Sequence, residues 1–134
     1  MAYQESVAVR NARINAIETT IGTSAVLKIR TGAQPSDCAA ADSGTVLVSM
    51  NLPSDWMGAA SSGTASKLGT WSGTAGAGGT AGHFRVYASD GTTCGAQGSV
   101  TATGGGGDMT VDNTSIASGQ TVTVNTFSVT AGNA

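Results

Sequence analysis

The sequence predicts a mainly β protein: an antiparallel β-sandwich or jelly-roll-like domain (23–134) preceded by one N-terminal helical segment (1–22). Three observations carry this. Between Gly79 and Val111, apolar and polar residues alternate on both sides of Asp90-Gly91, a pair favoured at the centre of tight hairpin turns. Val, Ile and Thr are plentiful and the net charge is only −2, so the low charge content (10%, against about 25% in an ordinary soluble domain) does not mean disorder. Finally, 134 residues with 20 glycines suit one core with many short strands and turns. Aromatics make up only 4%, so the core is expected from Val, Ile, Leu, Met and Ala.

Residues 3–21 read as the helix. Val7, Ile14, Ile17 and Ile21 fall on one narrow stripe with Arg10 between them, and Gly22 follows as a stop. A stripe near a seven-residue spacing either lies on the chain's own sandwich or forms a seam between subunits, and the second reading is preferred. Strands follow at 24–31 and 45–52, separated by a loop (32–44) in which Pro35 forbids a central strand. In the second strand Val46, Val48, Met50 and Leu52 face inward and Leu47 faces the other way. Residues 53–66 are expected to hold a single helical turn with Trp56 and Met57, Trp56 acting as a lid. Residues 67–75 read as a strand with Leu68 and Trp71 on opposite faces, and 76–82 as a glycine-rich loop.

The hairpin comes next. Phe84, Val86 and Ala88 form its inward row on one arm, and Cys94, Ala96, Gly98, Val100 and Ala102 on the other. His83, Arg85 and Tyr87 form an outward polar row, either solvated or in contact with a neighbouring subunit. Gly104–Gly107 break the sheet, 109–113 form a short strand, and Ile116 tucks in from a turn. In the last strand, 120–130, the apolar parity changes between Val122/Val124 and Phe127/Val129. One extra residue near Asn125-Thr126, a β-bulge, would keep all four on one face. The tail AGNA reads as loose.

No chemical constellation stands out. His83 is the only histidine and the cysteines are isolated, so no zinc cluster is expected. Asp108 and Asp112 read as solvated turn carboxylates. The glycine-rich stretches 76–82 and 104–107 precede strands, whereas a phosphate cradle needs a following helix. No nucleophile elbow accompanies His83, so no enzyme and no cofactor are expected. Trp71 and Tyr87 are the one plausible exposed pair for glycan binding. No basic patch with aromatic platforms suggests nucleic acid, and no apolar run approaches a membrane span. Without a signal-like apolar segment, synthesis and retention in the cytoplasm are expected. Cys38 and Cys94 have two readings. The default in a cytoplasmic chain is two separate small side chains. The other is a disulfide, which requires Cα atoms about 4.4–6.8 Å apart.

A thinly charged surface is poorly defended against association, which favours a subunit within an assembly. The motifs LKIRTG, GTAGHFRV, SDG, QGSV and SIASGQ, spread over nearly the whole chain, resemble a group of small tailed-bacteriophage and prophage virion proteins associated with capsid decoration (cement). The resemblance implies a non-enzymatic structural role on the capsid surface. Its implied partners are the major capsid protein and further copies of the chain, as a homo-oligomer such as a trimer at a symmetry axis. Val7, Ile14, Ile17, Ile21, His83, Arg85 and Tyr87 are the candidate contact residues. The alternatives are a tail, collar or fibre-associated protein and a receptor- or glycan-binding module.

Overall fold

A computed structural model describes residues 3–134. Its mainly β architecture with one N-terminal helix is the expected class. Helix α1 spans Val7–Ile21. It starts later than periodicity suggests because Ser6 takes an extended conformation and its Oγ accepts the Val9 N–H at 3.2 Å, capping the first turn. Gly22, at φ 104°, ends it, its N–H donating to Glu18 O.

Nine strands follow among the described residues: β1 (Val26–Thr31), β2 (Val46–Asn51), β3 (Thr64–Ser66), β4 (Ser72–Thr74), β5 (Gly79–Tyr87), β6 (Cys94–Ala102), β7 (Met109–Val111), β8 (Ser115–Ile116) and β9 (Thr121–Thr130). The sheet order is β2-β1-β5-β6-β7-β9-β3, with β4 also on β9 and β8 on β5. Every pairing is antiparallel except β6–β7, so the sheet is mixed. Parallel neighbours normally need a long crossover. Here the tetraglycine segment folds back over Thr101, whose Oγ1 accepts the Gly107 N–H at 3.0 Å, and delivers Met109 beside Val100.

The sheet curls until its two ends meet. Gly73 of β4 lies against β2, where a Cβ would stand 3.1 Å from a Val48 methyl and 3.2 Å from Met50 Cβ. The Gly76 N–H donates to Leu47 O across the same junction. The core enclosed by this curl is not purely aliphatic. Trp56, Trp71, Phe127 and Phe84 form a continuous chain of rings with successive centroids 6.0, 5.6 and 5.5 Å apart. Such aromatics bury about 150–250 Å² each, which makes a few of them dominate a small core. Each indole N–H is satisfied, Trp56 Nε1 by Gly22 O and Trp71 Nε1 by Leu68 O, both at 3.0 Å.

Several local expectations meet their outcome here. The β9 bulge falls at Asn125, between the pairs Thr110–Thr126 and Val111–Val124, and keeps Val122, Val124 and Phe127 buried. Leu47, expected on the far face of its strand, is the extra residue of a bulge between the pairs Ile29–Val48 and Arg30–Val46, and it is buried in the same apolar cluster as Val48 and Met50. The 53–66 segment contains no helical turn; it runs beside the next residues, bridging Met57 to Lys67. Within the expected 67–75 strand only Ser72–Thr74 is extended in the sheet. The tail is tied down rather than loose: the Glu5 N–H donates to Asn133 O, and Arg10 donates to Ala131 O.

The hairpin turn also differs from expectation. Its loop covers four residues, Ser89–Thr92, with the Ala88 N–H donating to Thr93 O and positive φ at Gly91 (70°) but not at Asp90. The Asp90 carboxylate replaces the missing backbone geometry by accepting the Thr92 and Thr93 N–H groups and the Thr93 hydroxyl. Those hydrogen bonds, the Thr93 hydroxyl first, hold its carboxyl at about 2.

Candidate functional site

The polar row of β5 is the densest concentration of chemistry in the molecule, and it is sealed. β5 lies between β1 and β6 and is buried on both faces. Phe84 and Val86 enter the apolar core, while His83, Arg85 and Tyr87, at 0%, 2% and 0% exposure, lie under the 32–44 loop. The outward, solvated or partner-facing row expected from alternation is thereby corrected: period two distinguishes the faces, but the chain's own loop covers the second one.

That loop turns back at a tight contact. Gly82 is the extra residue between the pairs Arg30–His83 and Thr31–Ala81, and a Cβ on it would stand 2.2 Å from Gly32 O. Only glycine lets the loop leave β1 so close to β5. The same Gly32 carbonyl accepts from His83 Nδ1 at 2.8 Å, which fixes the proton on Nδ1. His83 Nε2 is buried without a partner, as is Arg30 Nε on the adjacent strand.

Arg85 is the anchor. Its Nη1 donates to Asp42 Oδ1 (2.8 Å) and Ala40 O (3.1 Å), its Nη2 to Asp37 O (2.8 Å), and its Nε to Gln97 Oε1 (3.0 Å). The Gln97 amide then donates to Pro35 O at 2.8 Å. Asp42 gathers the rest: Tyr87 Oη donates to Oδ1 at 2.6 Å and Arg30 Nη2 to Oδ2 at 3.0 Å. Carbonyls of the 32–44 loop, which forms a lid over β5, and one carboxylate thus meet two guanidinium groups and a phenol. Partial desolvation pushes the Asp42 carboxyl up, but hydrogen bonds from Tyr87 and Arg85 and the charges of Arg30 and Arg85 outweigh it and hold the group below its usual range. Burial and the bond to Asp42 raise the Tyr87 phenol.

Asp42, Gln97 and the lid carbonyls were not legible as partners of this row. Asp42-Ser43-Gly44 carries only a turn signal, and nothing in its spacing aims a carboxylate at a residue 43 positions away. Arg30 showed the alternating position it occupies but not its buried pairing.

The helix stripe divides. Ile14 and Ile21 are buried in the same cluster as the sheet core, Ile17 is half-buried against it, and Val7 is exposed. The helix therefore lies on its own domain, and Ile14 and Ile21 are not free for a seam between subunits. Three acceptors on its inner side hold the 57–63 segment: Glu18 takes the Met57 N–H (2.6 Å), Asn15 the Ala60 N–H (2.9 Å) and Asn11 the Gly63 N–H (2.8 Å). Outside that seam a mostly apolar groove of about 500 Å³ runs between helix and hairpin, with Ala16, Ile17, Ala88 and Ala96 in its walls.

Trp71 and Tyr87 are both fully buried, so the pair considered for glycan stacking is not on the surface. Cys38 and Cys94 are brought together, their Sγ atoms 2.7 Å apart, and both are free thiols. Among the described residues no group of three His, Cys, Asp or Glu side chains is placed to hold a metal ion, and no helix is long and apolar enough to cross a membrane.

Comparison with protein-family models, curated proteins and solved structures gives no match. The functional reading therefore stands on the chain's own residues and on the motif resemblance.

Proposed function

We propose that the chain is a non-enzymatic structural subunit of a tailed-phage virion: a capsid decoration protein that binds the outer face of the major capsid protein and reinforces the shell. The observation that carries this reading is where the chemistry-bearing side chains lie. Arg85, His83, Tyr87 and both tryptophans are spent inside the fold, so the most conspicuous residues hold the domain together. What remains outside is thinly charged, with exposed apolar side chains at Tyr3, Val7, Val9 and Leu68. Such a surface suits lasting contact with neighbours better than turnover of a small substrate. A general base must reach its substrate; His83, sealed under the lid, has no such access.

The contact face assigned under this proposal differs from the row read in the sequence. It comprises the groove between α1 and the β5–β6 hairpin, together with the exposed side of the helix at Val9, which a 100° step per residue places beside Ala16 and Thr20. The major capsid protein or a second copy of the chain would cover it. The chain would be made in the host cytoplasm and end on the particle surface.

Cryo-electron microscopy of purified virions tests the proposal. Density for this fold on the outer shell, with the helix–hairpin groove covered, is the expected result. Density confined to the tail or collar would favour the alternative placement, and absence from the particle would overturn the virion reading altogether.

A further inference from the structure

The 32–44 lid meets the hairpin at one more place, apart from the Arg85–Asp42 network: Cys94 Sγ lies 2.7 Å from Cys38 Sγ. Cys38 sits in the lid between Asp37, whose carbonyl binds Arg85, and Ala40, whose carbonyl binds the same guanidinium. The Asp37 carboxylate accepts the Ala39 and Ala40 N–H groups, both at 2.9 Å, which holds the short turn that presents Cys38. Cys94 opens β6 opposite Tyr87. Both side chains are half-buried in the wall of an open cleft shared with Thr92 and Thr93, so a small thiol reagent can reach them.

We propose that Cys38 and Cys94 form a redox pair which closes to an intramolecular disulfide when the protein leaves a reducing compartment, clipping the lid over the β5 polar row. The inference stands independently of the capsid reading. The oxidant is a small-molecule disulfide such as oxidised glutathione. The Cys38 thiolate attacks one of its sulfurs, a Cys38–glutathione bond forms, the glutathione S–S bond breaks, and one glutathione leaves. Cys94 then loses its proton to solvent and attacks Cys38 Sγ, forming the Cys38–Cys94 bond and releasing the second glutathione. Two protein thiols are oxidised and one external disulfide is reduced to two thiols. Placement sets the order: Cys38 stands on a loop turn between the exposed Asp37 and Ala39, whereas Cys94 is held in the β6 ladder opposite Tyr87 and takes the resolving role. Desolvation, followed by its contact with Cys38, pushes the Cys94 thiol up to about 12, in the same sense.

The bridge would link positions 56 residues apart, and closing a loop of that length restricts the unfolded chain strongly. The full chain, purified under reductant and incubated with millimolar oxidised glutathione, gives the test. The expected product is a monomer lighter by two hydrogens, with no alkylatable thiol after unfolding and a Tm about 5–10 °C above the reduced form. The C94S variant is expected to stop at a single glutathione adduct on Cys38, and the C38S,C94S double variant to lose the response of Tm to reductant. Free thiols persisting in the wild-type monomer, or covalent dimers in place of the internal bridge, would overturn the proposal. The wild-type mass decides even where a variant fails to fold.

Discussion

The lid over β5 and the helix α1 solve the same problem by different physics. Each covers one side of the curled sheet, and each is a surface that the linear sequence offers to a partner. The lid is held by charge: Arg85 and Arg30 reach up from the sheet to Asp42 and to loop carbonyls. The helix is held by apolar anchors, Ile14 and Ile21, with Asn11, Asn15 and Glu18 accepting backbone N–H groups along one edge. The difference teaches that an outward-looking polar row on a central strand can be as internal as an apolar stripe. It also makes the two covers fail differently. A charge that loses its partner remains as a buried penalty, whereas a truncated apolar anchor leaves a cavity that neighbours partly fill.

The largest effect is expected at Arg85. Arg85→Met strips Asp42, Gln97 and two lid carbonyls of their donor at once and should cost about 3 kcal/mol in urea denaturation, the low end for a broken buried pair because Asp42 is partly open to water. A smaller loss, about 2–3 kcal/mol, is expected for Ile14→Ala, as for other aliphatic truncations in a core. If the helix were instead a seam held by a partner, this variant would leave the isolated chain's stability nearly unchanged.

Acid separates the two covers next. The Asp42 carboxyl lies below its usual value in the folded chain, so its contribution is fully present above pH about 4 and is lost as the pH falls through the lowered folded value. The stability gap between wild type and Asp42→Asn should therefore be widest near neutrality and close toward pH 2, while Ile14→Ala keeps a constant gap. Tyr87 works with the opposite sign: its raised phenol contributes below pH about 10 and is lost above it. The smallest effect belongs to the helix edge, where Asn15→Ala removes one acceptor from the Ala60 N–H and should cost about 1 kcal/mol with little pH dependence.

How much of this was legible in the sequence depends on the range of the interaction. The place of the β5–β6 hairpin (though not its turn geometry), the Gly22 stop and the β9 bulge at Asn125 were readable because each is written in a few adjacent residues. The fate of β5 was not. Alternation says that His83, Arg85 and Tyr87 share a face but is silent on whether a loop 40–50 residues earlier returns to cover it. The aromatic spine was hidden for the same reason: a low aromatic fraction gives no hint that Trp56, Trp71, Phe84 and Phe127 converge. Ser6 shows the reverse, since a local cap was present in the sequence and outranked by the longer apolar period. The contact between Cys38 and Cys94 is likewise a consequence of the lid, and no spacing rule predicts it.

Arginine accessibility measures most directly whether the β5 row is internal. The native isolated chain is treated with phenylglyoxal and the modified arginines are mapped by peptide mass analysis. Arg13, whose side chain is 48% exposed, should react readily, whereas Arg85, at 2%, should remain unmodified until the chain is unfolded. Modification of Arg85 at the rate of Arg13 in the folded protein would contradict the account and return the His83–Arg85–Tyr87 row to the surface.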